Sequence, residues 1–328
     1  MEIIKRLFFV LLVTAVLVFF SEKMYWYPQG YVIAELILFY GVVGYACLWT
    51  IDYFRVERLP QLILVAGLYA FLTEGVLTPV IFEGGLFNPL MASYFIGWHG
   101  MLSVLFGFYL LRKWLRYGQW QRLLLGSVLV GFLWGIWSIT YWLPETFADF
   151  ASSGQWTVVE FGLHAFTFTL MLVAAHWLLG RGGWQPLFKP SLTERILLGL
   201  TLLFFFATLS FPAAPLGIIS LMLLVTAVCL PLYFHRRRTA AGSLLKTLNG
   251  RIQARYLPIL FVMPGLATAV YALATTLNPA EETLQAIVEL LPLAQAALGL
   301  GLFLWALVTT LRSGRSVLPS PILELDPD

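Results

Sequence analysis

Residues 58–82 read RLPQLILVAGLYAFLTEGVLTPVIF. Between Arg58 and Glu74 no side chain carries a charge, and Glu74 is the lone acidic or basic residue from 59 to 82. A helix of about 20 apolar residues crosses the roughly 30 Å hydrocarbon core of a bilayer. The run is far longer than the roughly 10 residues of a barrel strand and lacks strict alternation, so it reads as a membrane-spanning helix. The same texture recurs along the chain. Sixty per cent of the 328 residues are hydrophobic and only 11% are charged, with a mean hydropathy of +0.84. Soluble domains carry roughly a quarter charged residues, so most of this surface is built to face something other than water.

Pro, Gly and charge clusters divide the chain into ten expected spans: 5–21, 31–51, 60–81, 92–111, 123–143, 157–180, 195–211, 215–235, 257–277 and 290–311. The fold class is all-α and polytopic. The first run follows Lys5 and Arg6 and lacks a small-x-small cleavage site, so it reads as an uncleaved span. With the N-terminus inside, every Lys and Arg except Lys23 falls on inner segments, from Lys5 and Arg6 to Arg312 and Arg315. The positive-inside rule then puts both termini in the cytoplasm and the chain in the plasma membrane. Cys47 and Cys229 have neither disulfide nor zinc spacing and read as small buried residues.

The ionisable groups divide the chain further. Residues 1–190 are expected to form a six-helix bundle bearing nearly all the intramembrane Glu and His. Residues 191–312 form a plainer four-helix bundle with a basic cytoplasmic loop, 236–256, and 313–328 a disordered tail. In that loop Leu244, Leu245, Leu248 and Ile252 recur at helical spacing among basic residues, which predicts a segment lying on the membrane surface. Residues 211–215 form a tight hairpin. Asn278-Pro279 predicts the start of a short interfacial helix before span ten.

Ionisable residues inside spans are costly and point to function. Glu35, Glu74, His99, Glu160 and His164 all fall in the outer third of the expected topology, on four helices, and Glu160 and His164 share a helical face at i and i+4. Trp98, Trp137, Ser138 and Tyr141 lie at similar depth and complete a candidate substrate pocket with Glu35. Glu74, His99, Glu160 and His164 are the candidate acid/base residues, and the same four are candidate divalent-metal ligands. His99 and His164 also share a depth on different helices, as bis-His haem ligation requires, but a divalent metal and not haem is the expected cofactor, if any. His176, beside Trp177, reads as an interfacial histidine.

Three functions fit such a chain. One is an intramembrane enzyme, metal-dependent in one version, acting on a lipid or lipid-linked substrate from the outer leaflet. The second is a proton-coupled small-molecule transporter, for which Pro79 and Pro264-Gly265 would break helices, although spans 1–5 and 6–10 show no repeat. The third is a non-catalytic anchor or sensor subunit. The bilayer is the expected partner, no nucleic-acid surface is visible, and the oligomeric state is open.

Residues 130–137, VGFLWGIW, resemble the second motif region of the CPBP, or CAAX-protease-like, intramembrane proteases. That family's pattern is Glu-Glu-x3-Arg, then Phe-x3-His, then His-x3-Asn. On this likeness Glu74 would be the second glutamate, with Thr73 in place of the first and Thr78 in place of the arginine. Trp134 stands for the phenylalanine and Ser138 for the histidine. His176 would be the third-motif histidine, with Gly180 in place of asparagine. Most of that chemistry is missing, so a degenerate relative would belong to the non-catalytic reading, and the likeness assigns no family.

Overall fold

The computed structural model describes residues 2–24, 33–82, 86–142, 156–181, 188–237, 243–248 and 250–312. Tyr141's side chain and the expected disordered tail, 313–328, lie outside the described residues. Ten helices are long and apolar enough to cross a membrane: α1 Glu2–Lys23, α2 Ile33–Tyr53, α3 Leu59–Leu77, α4 Pro89–Tyr117, α5 Trp120–Ile139, α6 Val158–Gly180, α7 Leu192–Ser210, α8 Gly217–Arg236, α9 Ala254–Leu277 and α10 Glu281–Arg312. The described residues contain no strand. This is the architecture of a multi-pass membrane protein.

Several helix ends depart from expectation for local reasons. α3 stops at Leu77 rather than 81, because Pro79 forces Thr78 into extended backbone, φ −133° and ψ 144°. No separate interfacial helix precedes span ten. Asn278 takes the left-handed conformation, φ 45°, that ends α9, and α10 then runs unbroken from Glu281 through Pro292. Pro264 does not interrupt α9. The helix is tightly wound from Ala254 to Phe261 and becomes α-helical at Val262, so Pro264 sits in a first turn where its missing N–H is harmless. The hairpin at 211–215 is as expected, closed by the Ala213 and Ala214 amides donating to the Ser210 carbonyl.

α3 is the central helix. Inside the protein lies 89% of its apolar stretch, against 17% for α7 and α10. It packs against α2, α4, α8 and α10, while α1 packs against α2, α4 and α6. α9 lies along α5 and α6, and α10 along α3 and α4, so the last two helices reach back onto the first six. Two of these crossings bring backbone onto backbone. A Cβ on Gly97 would lie 2.2 Å from the Gln295 carbonyl oxygen, and one on Gly299 2.4 Å from that of Ser93. Along α5, Gly131 and Gly135 let the Met263 and Ala267 carbonyls approach in the same way. In lipid, where apolar surface alone drives little association, such close approach is a principal source of attraction between helices.

Contacts between helix ends follow strict alternation. Arg6 of α1 forms a two-pronged ion pair with Glu194 of α7, at 3.1 and 2.8 Å, joining two N-terminal ends. Tyr45 donates to the same carboxylate at 3.0 Å. At the C-terminal end of α4, buried Arg112 donates to the carbonyls of His176 and Leu179 on α6 and of Leu248 and Gly250, at 2.7–3.3 Å. Those carbonyls include the unfinished last turn of α6, which the guanidinium therefore caps. Residue 243–252 placement also corrects the surface-helix expectation. Only Leu244–Thr247 is helical, and Leu244 and Leu248 are buried, with the Leu244 amide donating to the Val56 carbonyl. The leucines serve the protein's own core. His176 is likewise fully buried beside Arg112 rather than interfacial.

Candidate functional site

Among the described residues four helices carry π-wound turns; that of α7, Phe206–Ser210, packs against the end of α3, and the other three surround a group of polar side chains. Phe19–Lys23 at the end of α1, Thr73–Leu77 at the end of α3 and Ile96–Leu110 within α4 are wound as π-helix, with backbone bonds from i to i+5. Such widened turns are uncommon and occur mostly at functional sites. Here each one carries polar groups inward: Ser21 and Glu22 on α1, Thr73 and Glu74 on α3, His99 and Ser103 on α4.

The centre is an acid–base pair. Nε2 of His99 lies 2.7 Å from Oε1 of Glu74, and both side chains are buried. Thr78 donates to the other carboxylate oxygen of Glu74 at 2.7 Å, from the extended conformation that Pro79 imposes. The carboxylate thus holds one edge of the imidazole. The opposite ring nitrogen, Nδ1, is buried with no hydrogen-bond partner among the described residues. The ring lies stacked on Phe95 at 5.4 Å between centroids, with Tyr69 and Tyr40 each at 6.3 Å.

A second carboxylate borders this pair. Tyr40 of α2 donates to Glu22, which lies within electrostatic reach of Glu74, His99 and Lys23. Below them runs a buried hydroxyl chain: Tyr69 Oη lies 3.1 Å from Ser21 Oγ, which lies 2.8 Å from Ser103 Oγ. Trp98 fastens α4 to α1 by donating to the Phe20 carbonyl at 3.3 Å, and packs against Trp137 at 6.0 Å.

Only part of the expected five-residue cluster is assembled. Glu74 and His99 meet. Glu35 is exposed on α2. Glu160 is exposed and serves the start of α6, where its carboxylate accepts from the Thr157 amide at 2.9 Å while Thr157 Oγ1 accepts from the Glu160 amide at 3.2 Å. That reciprocal arrangement is a capping box, and Thr157-x2-Glu160 is its sequence signature. His164 does not bond Glu160; its Nε2 lies 2.8 Å from the Lys23 carbonyl. Ser138 donates to the Trp134 carbonyl one turn earlier on its own helix. Shared depth was therefore a poor guide to shared direction.

The four-residue metal set, Glu74, His99, Glu160 and His164, does not converge, and no group of three or more His, Cys, Asp or Glu that could hold a metal ion occurs among the described residues. His99 and His164, the bis-His candidates, each have Nε2 against a protein partner. Glu22 is the member that sequence reasoning missed. It falls at the expected outer end of span one and reads as a loop acid, but the π turn keeps the chain helical through Lys23 and brings Glu22 beside Tyr40.

Comparison of the chain with protein-family models, with curated proteins and with solved structures finds no match. The roles of Glu22, Tyr40, Glu74 and His99 rest on this geometry alone.

Proposed function

We propose that this chain is a multi-pass protein of the plasma membrane, both termini cytoplasmic, in which Glu74 and His99 form an acid–base centre near the outer leaflet acting on a lipid or lipid-linked substrate. The observation that carries this reading is the Glu74–His99 contact at 2.7 Å together with the unpartnered Nδ1. A carboxylate that orients one edge of an imidazole fixes its tautomer and stabilises the imidazolium, and the other nitrogen is then placed to take a proton from a reacting group. A buried polar atom without a partner needs a reason, and a substrate proton supplies one.

The test is a comparison of membrane lipid profiles from cells expressing the wild-type chain or Glu74→Gln at equal abundance. Glu74→Gln keeps the hydrogen bond and removes the charge. A lipid species that changes with the wild type and not with the variant is the expected result. Identical profiles for wild type, variant and empty vector would sink the reading.

One observation favours transport as a second reading. Glu22 and Tyr40 adjoin the pair, and α3 breaks just beyond Glu74, so a proton held at His99 has a second carboxylate beside it. Proteoliposomes containing a pH-sensitive dye separate the two. Proton movement abolished by Glu74→Gln supports transport, and a silent dye supports chemistry on a lipid.

The orientation has its own test. In a background lacking Cys47 and Cys229, a cysteine at Ala280 should react with membrane-impermeant maleimide on intact cells, and one at Arg251 only after permeabilisation. The reverse pattern would invert the topology and move the acid–base centre to the inner leaflet.

A further inference from the structure

An apolar groove of about 450 Å³ opens between α1, α2 and α7. Its walls are aliphatic along two turns of each helix, with Leu7 and Leu11 from α1, Leu38 and Gly41 from α2, and Leu197 and Leu198 from α7. Its one charged lining residue, Glu194, lies at one end, where it meets Tyr45 and Arg6 in the contacts described above; Thr14 and Thr201 are the other polar lining residues. Leu7, Leu11, Leu38 and Leu197 are each more than 40% exposed, so the groove is open along its side as well as at its polar end.

We propose that this groove is a binding site for one acyl chain of a membrane phospholipid, with the head group at the Arg6–Glu194–Tyr45 end. Three features select that occupant. The groove lies on helices that are long and apolar enough to span a membrane, so what reaches its open side is hydrocarbon. Its charged groups, Arg6 and Glu194, lie near the N-terminal ends of α1 and α7, the level at which a head group lies, and the aliphatic walls run from there toward the membrane centre. Its depth comes from an absent side chain: a Cβ on Gly41 would meet only the Thr14 hydroxyl, at 3.6 Å, an ordinary contact. The space at Gly41 is therefore free to hold a ligand. The proposal rests on the helices crossing a bilayer and is independent of the acid–base reading of Glu74 and His99.

The full-length chain is placed in phosphatidylcholine nanodiscs doped with a phospholipid that carries a photoactivatable group midway along one acyl chain. After illumination, modified peptides are mapped. Labelling concentrated on residues 3–14, 37–45 and 197–201, well above the equally exposed Leu293 and Leu304 of α10, is the expected outcome. Gly41→Phe fills the groove from within and should cut that labelling about ten-fold, the loss that corresponds to roughly two methylenes of burial, while α10 labelling stays constant. Leu38→Trp, at a side chain 56% exposed and so remote from the core, fills the groove from its open side and gives the same readout if Gly41→Phe does not fold. Even labelling of all membrane-facing helices, groove labelling that neither substitution lowers, or labelling by a free photoactivatable fatty acid but not by the phospholipid would each overturn the proposal.

Discussion

Gly299→Ala should destabilise the protein by about 3 kcal/mol or more, a large effect for one methyl group. The new Cβ would lie 2.4 Å from the Ser93 carbonyl oxygen and 2.5 Å from the Gly97 nitrogen. Both obstacles are backbone, so no side-chain rotation relieves them, and α10 must move off α4. That movement also loosens the turn that precedes His99. Thermal unfolding in detergent measures the effect. Gly301→Ala, two residues along the same helix, is the control: nothing lies within 4 Å of its Cβ position, so its melting temperature should match wild type or rise slightly. Equal behaviour of the two variants would mean that α4 and α10 do not cross at these glycines.

The second large effect belongs to the buried pair. His99→Leu strands the Glu74 carboxylate with Thr78 as its remaining partner, inside a helix that is almost wholly enclosed. Removing one member of a buried charged pair costs about 3–5 kcal/mol, whereas replacing both with apolar groups of similar volume is often nearly neutral. Glu74→Leu/His99→Leu should accordingly recover most of the stability that His99→Leu loses. A double-mutant cycle by thermal unfolding should give a coupling of about 2 kcal/mol or more. Additive single effects would show that the two side chains do not meet. Glu74→Gln is expected to melt within about 1 kcal/mol of wild type, since its amide oxygen can still accept from His99 while its NH2 group donates to the Thr78 hydroxyl. Loss of function in that variant would then be chemical and not structural.

The fold was legible to the extent that hydropathy decides it. Ten apolar runs became ten helices because a lipid-facing backbone has no alternative to internal hydrogen bonds. What the runs do not encode is where one helix ends by backbone geometry, as at Thr78, or continues through a proline, as at Pro292. The site was legible only where burial and charge coincide. Glu74 lies on a helix with no charged neighbour for a dozen residues, and His99 sits between Gly97 and Gly100, whose bare backbones admit α10 and α3. Glu160 shares that depth but occupies the third position of a capping box, a local role its spacing from Thr157 announces. Glu22 and Glu35 exchange places relative to expectation because facing depends on winding, and four π segments shift the phase of the chain. An apolar run gives no sign of that phase.

Arg112 ties the C-terminal end of α6 to residues more than sixty positions further along the chain. During synthesis, α6 enters the membrane well before Leu248 and Gly250 have been made. For that interval its last turn has the guanidinium but the clasp is incomplete, and α4 holds a buried positive charge with half its acceptors missing. The first six helices are therefore an unfinished body until the ribosome has passed residue 250.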